Sequence, residues 1–205
     1  MKNIYSKRPK HLLLDCDGVI ADLTSDFLRW VEKEFGIRKR PEEIQNWGYA
    51  EQVGITQEQE DEYFNGPSAY GHCLGLPRYP GAERFVKDLQ RNHVVRACTA
   101  TKYTAWTAAR AEWLDYVGIP PEQQIILGKT EKQRHVADHL IDDSKTNCLQ
   151  YARFQNNLQP SFSRERAILL DRPWNQYADY KERWEHEVAG VRRAMNYEEV
   201  LEIVG

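Results

Sequence analysis

No run of apolar residues in this sequence approaches the roughly 18 needed to span a bilayer. The start is basic, but only Leu12, Leu13 and Leu14 follow before an aspartate, too few for the apolar part of a signal peptide. An excess of one charge is also missing. The formal net charge is −3, so nothing general draws the chain to nucleic acid or a membrane, and any anion binding has to be local. Arg38, Lys39 and Arg40 form the one tight basic cluster, so no stable nucleic-acid partner and no membrane association are expected. Cysteine is sparse: Cys16, Cys73, Cys98 and Cys148 form no C-x-x-C pair, and no histidine cluster completes a zinc spacing. Cys16 and Cys98 sit in apolar runs, where free thiols are ordinary, so a reducing, cytoplasmic setting is expected. Internal repeats and long low-complexity segments are absent as well.

What remains is a globular composition. Hydrophobic residues are 41% and charged residues 29% of 205. That length suits one domain with an insertion, or a core with a small cap, and it can bury a core without disulfides.

The chain falls into three stretches. Leu12, Leu13 and Leu14 form a short continuous apolar run, the pattern of a strand buried on both faces. Asp15 and Asp17 follow at its C-terminal end, with Gly18 to loosen the backbone. From Leu23 to Arg78 the pattern is helical. Phe27, Leu28, Val31 and Phe35 repeat at helical spacing and Gly36 ends the helix. Thr56 with Gln59 makes a capping box for a helix reaching Phe64. The third stretch alternates. Phe85, Val86 and Leu89 give a helix face, and residues 93–98 read as a strand. Trp106, Ala109, Trp113 and Tyr116 give a second helix face. Residues 124–127 read as a strand, 132–138 as a short helix, 139–141 and 167–170 as strands, and Asn196 with Glu199 caps a last helix. This alternation predicts an α/β fold with a doubly wound parallel sheet, and a helical insertion after the first strand. The expected division is a core of residues 1–22 and 79–205 with a helical cap of 23–78.

Ligands of such sheets sit beyond the C-terminal strand ends. Those ends carry Asp15 and Asp17, then Thr99, Ala100 and Thr101, then Asp142, Asp143 and Ser144, with Lys132 nearby. Carboxylates gathered at one edge repel each other, and a hard divalent cation relieves this. All-oxygen ligands suit Mg2+ better than zinc. A lysine and a threonine among acids suit a phosphate dianion, and a carboxylate can serve as a nucleophile toward phosphorus.

In order and type, D-x-D-G-V after one strand, C-T after a second, then a lysine and L-I-D-D, this pattern resembles the four motifs of haloacid dehalogenase superfamily phosphatases. The resemblance implies that Asp15 is the nucleophile and Asp17 the general acid and base. It places Thr99, Ala100 and Lys132 at the phosphate. It implies Mg2+ held by Asp15, Asp17 through its backbone carbonyl, and Asp142, with Asp143 beside it. Tyr79-Pro80-Gly81-Ala82, Ala97-Cys98-Thr99, Lys132 ten residues before Asp142, and the segment from Ile168 to Asn175 are similar to the 5'(3')-deoxyribonucleotidase branch. That likeness implies a phosphomonoester substrate, a nucleoside monophosphate. Ala100 departs from it, standing where that branch often carries serine, so Thr101 or water has to supply the missing donor.

Other readings compete. Thr99 and Thr101 are each candidates for a helix N-cap, and Lys129 competes with Lys132. Trp47, Tyr63, Phe64 and Tyr70 read as cap core, from which one or two rings can stack on a base, and Leu23 can face substrate. A sugar-phosphate phosphatase, a phosphomutase, a noncatalytic binding module and a nucleic-acid end phosphatase share parts of the pattern. A dehalogenase is disfavoured because its chemistry lacks the second acid that Asp17 supplies.

Overall fold

The computed structural model describes residues 8–128, 131–158 and 165–205. Strand β1 (His11–Leu14) is buried through its three leucines. Successive strand residues point to opposite faces. Leu12 and Leu14 accordingly join one hydrophobic cluster and Leu13 another. The unbroken apolar run is the mark of a strand covered on both sides.

A run of helices follows, beginning with α1 (Leu23–Phe35), α2 (Tyr49–Val53), α3 (Gln57–Asn65) and α4 (Ala69–Leu74). Helix α1 buries Leu23, Phe27, Leu28 and Val31 and ends at Gly36, whose φ of 69° lies in the left-handed region that glycine adopts without a Cβ penalty. The Thr56–Gln59 capping box opens α3 as the spacing predicts. Then come α5 (Ala82–Asn92), β2 (Val94–Ala100), α6 (Thr104–Tyr116), β3 (Gln124–Leu127) and β4 (His139–Asp142). The chain closes with α7 (Lys145–Leu158), β5 (Ala167–Leu170), α8 (Tyr180–Ala189), β6 (Val191–Ala194) and α9 (Tyr197–Val204).

Among the described residues six strands run parallel in the order β3-β2-β1-β4-β5-β6. The chain builds outward from β1 through β2 to β3, then returns to start β4 on the other side of β1. Strand order therefore reverses beside β1, and the crevice beyond the strand ends opens there. The Asp15 backbone N–H donates to the Ile141 carbonyl at 2.9 Å, tying the two sides of that crevice together.

The sheet carries one strand more than the apolar pattern predicts. β6 reads V-R-R-A, and two arginines hide it. Helices α7 and α8 are hidden as well. The buried face of α7 is Cys148, Tyr151, Ala152 and Gln155, correctly spaced but poor in Leu, Ile or Val. Helix α8 leaves Tyr180, Trp184 and Val188 exposed and buries His186, the reverse of the expected pattern. The helix predicted over 132–138 is only a 3-10 turn at Lys132–Arg134, because the backbone turns extended at His135. In α6, Tyr116 is exposed and Arg110 takes a buried place instead. Among the described residues no helix is long and apolar enough to cross a membrane.

Candidate active site

The sheet brings its polar strand ends to one cleft of about 400 Å³. Asp15, Asp17, Thr99, Ala100, Thr101, Lys132 and Asp143 line its floor, and Leu23, Trp47, Tyr49, Phe64 and Trp106 its wall. Residues up to 128 positions apart in sequence meet here because parallel strands all end on the same edge.

Asp15 is the first residue past β1 and is nearly buried. Lys132 Nζ lies 2.7 Å from Asp15 Oδ1 and donates to Asp142 Oδ2 at 2.7 Å. Burial alone would depress the Lys132 ammonium, but Asp142 and Asp15 outweigh it and hold the amine well above its ordinary value. Burial pushes the Asp15 carboxyl up to about 7 against the lowering pull of Lys132, with Asp142 and Asp17 adding to the rise. Asp143 is likewise raised well above the usual carboxylate range, by burial first and then by Asp142 and Asp15. Three acids thus share one lysine and resist carrying their full charge together, a strain that a divalent cation would relieve.

The two aspartates of β4's end are used differently. Asp142 spends both oxygens on the protein: Oδ2 accepts from Lys132 and from Asn147 Nδ2 (3.2 Å), and Oδ1 accepts from the Ser144 N–H at 2.8 Å. Asp143 accepts from Trp174 Nε1 at 2.6 Å through Oδ2, while its buried Oδ1 has no hydrogen-bond partner. Asn175 Nδ2 donates to the Asp143 carbonyl at 2.8 Å and fixes the backbone. Oxygens of Asp15, Asp142 and Asp143 all lie within 4.8 Å of one another. An oxygen set of this kind, with one buried Asp143 oxygen left over, fits a hard cation.

Gly18 makes this approach feasible. Its φ is 73°, and a Cβ placed there would sit 1.9 Å from Asp143 Oδ2. Any other residue would have to displace the carboxylate. The loop is braced from outside by Arg172, whose Nε donates to the Gly18 carbonyl at 2.6 Å, and by Tyr197, whose hydroxyl donates to the Val19 carbonyl at 2.6 Å.

Thr99 is buried on β2 and faces the cleft. Thr101 also lines it, but its hydroxyl is hydrogen-bonded to that of Thr107. Neither threonine caps α6, whose N-cap is Tyr103. Lys129 lies outside the described residues.

On the wall, Tyr63 is fully buried core, and Tyr70 points out to hydrogen-bond Glu112. Phe64 packs on Trp106 at 5.0 Å between ring centroids. Trp47 meets Trp174 edge-on at 5.5 Å and stays partly exposed in the loop before α2. Asp61 of α3 accepts from the Tyr103 hydroxyl and tethers the wall to the loop after β2. Tyr49, Trp106, Arg110, Asn147 and the Trp174–Asn175 pair escape sequence reasoning. All but Asn147, which bonds Asp142 five residues before it, act through contacts distant in sequence, and only Trp174 and Asn175 sit in a segment whose family likeness gave a signal.

A family profile described as "5' nucleotidase, deoxy (Pyrimidine), cytosolic type C protein" matches residues 8–203. Among curated proteins, none matches the sequence. Solved structures share the fold. A haloacid dehalogenase-like family protein from Streptococcus pneumoniae superposes with a TM-score of 0.58 at 13% identity, over 96% of this chain and 99% of that one. A haloacid dehalogenase-like hydrolase from Burkholderia xenovorans does so with a TM-score of 0.54 at 17% identity, over 96% and 97%. With its haloacid dehalogenase-like fold and its match over nearly the whole length, the chain belongs to the cytosolic type C 5'-nucleotidase family and is a phosphoric monoester hydrolase.

Proposed function

We propose that the enzyme is a magnesium-dependent nucleotidase that releases phosphate from nucleoside monophosphates through an aspartyl-phosphate on Asp15. The observation that carries this reading is the placement of Asp15 and Lys132, 2.7 Å apart, at the floor of a cleft walled by Trp47, Phe64 and Trp106. The floor suits a phosphate and the aromatic wall suits a flat base.

In this reading Asp15 attacks phosphorus and Asp17 gives its proton to the departing oxygen. Asp17 then takes a proton from the water that hydrolyses the aspartyl-phosphate. Lys132 and Thr99 hold the phosphoryl oxygens as charge redistributes. Asp15, Asp142, Asp143 and the Asp17 backbone carbonyl would hold the cation, with Asp142 also fixing Lys132. When bound, the cation shields the incoming phosphate from the nucleophile's charge. Residues 23–78 act as a cap that shapes the substrate end of the cleft. The family description and the four buried free cysteines support a cytosolic setting.

The test is a phosphate-release panel of deoxynucleoside and ribonucleoside monophosphates against sugar phosphates, with and without Mg2+. Preference for nucleotides that vanishes on chelation supports the reading. Equal turnover of sugar phosphates would overturn the substrate, and undiminished turnover in chelator would overturn the cofactor.

A further inference from the structure

Arg110 is fully buried in the middle of α6, an unusual place for a guanidinium. Its Nη2 donates to Asp17 Oδ1 at 2.6 Å, and its Nη1 donates to Cys16 Sγ at 2.7 Å. The guanidinium carbon lies 5.5 Å from the Trp113 ring centroid and 5.9 Å from that of Trp106. Its Nε is buried with no hydrogen-bond partner. A charge taken out of water with one donor unsatisfied is costly, and a buried ion pair of this kind is weak evidence of stabilisation. The contacts give it a different use. Trp113 is itself pinned, its Nε1 donating to the Leu76 carbonyl at 2.9 Å. Arg110 therefore sits in a rigid slot and grips one oxygen of Asp17, whose side chain remains partly open to the cleft.

From this geometry we infer that Arg110 is a positioning residue, which holds Asp17 by Oδ1 so that its other oxygen faces the leaving group. The inference rests on the phosphatase reading and on the role given there to Asp17. In the step concerned, a bond forms from Asp15 to phosphorus and the bond from phosphorus to the leaving oxygen breaks. The bonding pair stays on that oxygen, which takes the proton of Asp17. Nothing of Arg110 enters the reaction.

The experiment is a double-mutant cycle on the full chain with Mg2+, using Arg110→Met, Asp17→Asn and the pair. Two esters are compared by kcat/KM: p-nitrophenyl phosphate, whose leaving group needs no proton, and the best alkyl phosphomonoester of the panel. Arg110→Met should lower kcat/KM on the alkyl ester by about 10- to 100-fold, as a misplaced acid does, and on the aryl ester by less than about threefold. In the Asp17→Asn background, removing Arg110 should cost nothing further. Equal losses on both esters, or a further loss in that background, would overturn the proposal, because Arg110 would then act on the fold at large. Wild-type protein inactive on both esters would instead overturn the role of Asp17, and this inference with it. Should Arg110→Met not fold, Arg110→Lys carries the same cycle, since it keeps the charge and reaches Asp17 without reproducing the two-pronged grip.

Discussion

Asp15, Lys132 and Asp143 at the floor of the cleft, and Leu23, Trp47, Phe64 and Trp106 on its wall, face one cavity but are held by different physics. On the floor, position is set by charge-assisted hydrogen bonds of 2.6–2.8 Å and by backbone locked into a parallel sheet. One carboxylate oxygen is left without a partner. On the wall, position is set by ring packing at centroid separations of 5.0–5.6 Å, which tolerates adjustment. The difference teaches a division of labour. A floor that must hold charge in place cannot yield, while a wall that only has to fit a ligand can. Trp174 joins the two, with its ring edge against Trp47 and its Nε1 on Asp143.

This contrast can be broken at the floor first. Asp15→Asn should lower phosphate release by roughly a thousandfold or more, since it removes the nucleophile itself. Steady-state assay across the substrate panel measures it, and a loss below tenfold would end the assignment. Lys132→Met should come next. It leaves Asp15 and Asp142 buried without their shared cation, so activity should fall by about a hundredfold and unfolding stability by about 3 kcal/mol. Denaturant titration beside the assay reads both, and a variant as stable as wild type would contradict the floor described above.

Trp174→Phe sharpens the link between floor and wall. It keeps most of the ring and deletes the donor to Asp143, so apparent Mg2+ affinity should weaken by about tenfold while kcat at saturating Mg2+ changes little. A Mg2+ titration of activity separates the two. On the wall, Phe64→Ala should raise KM for nucleotides by about tenfold and leave p-nitrophenyl phosphate nearly unaffected, the loss of one stacking surface. A uniform loss on every ester would place Phe64 in support of the floor instead.

The smallest effect lies at the opposite end of β4, away from the cleft. His139 is buried, its Nδ1 lacks a partner, and burial with the nearby Lys10 lowers its pKa to about 4. The unfolded chain binds the proton more tightly than the fold between that value and the usual 6.5. Stability should therefore be intact above pH 6.5 and fall by about 1–3 kcal/mol as pH drops through 4. His139→Gln should flatten that acid limb in denaturation curves taken across the range. An unchanged limb would mean that another group controls it.

Much of the floor is legible in the sequence, because its residues follow apolar runs. Asp15 after three leucines and Asp142 after Leu140 and Ile141 announce themselves as strand ends. Asp142 and Asp143 are not distinguishable in this way. Adjacent residues of one type differ only by the direction in which the strand end turns them, one toward Lys132 and the other toward Trp174. The wall is less legible still. Phe64 and Tyr63 are neighbours on one helix, yet one lines the cleft and the other is core, and helical periodicity does not say which face meets the sheet. β6 and α8 escape for a related reason. Their burial comes from neighbours rather than from their own composition.

By itself the sequence determined the parallel α/β plan and the acids that end its strands, since a buried strand needs continuous apolar residues and a polar residue there must sit at the strand's end. Tertiary structure alone decided which partner each acid meets, which ring faces the cleft, and that a buried arginine grips Asp17. Those choices depend on distances between residues far apart in the chain, and spacing along the chain does not encode them.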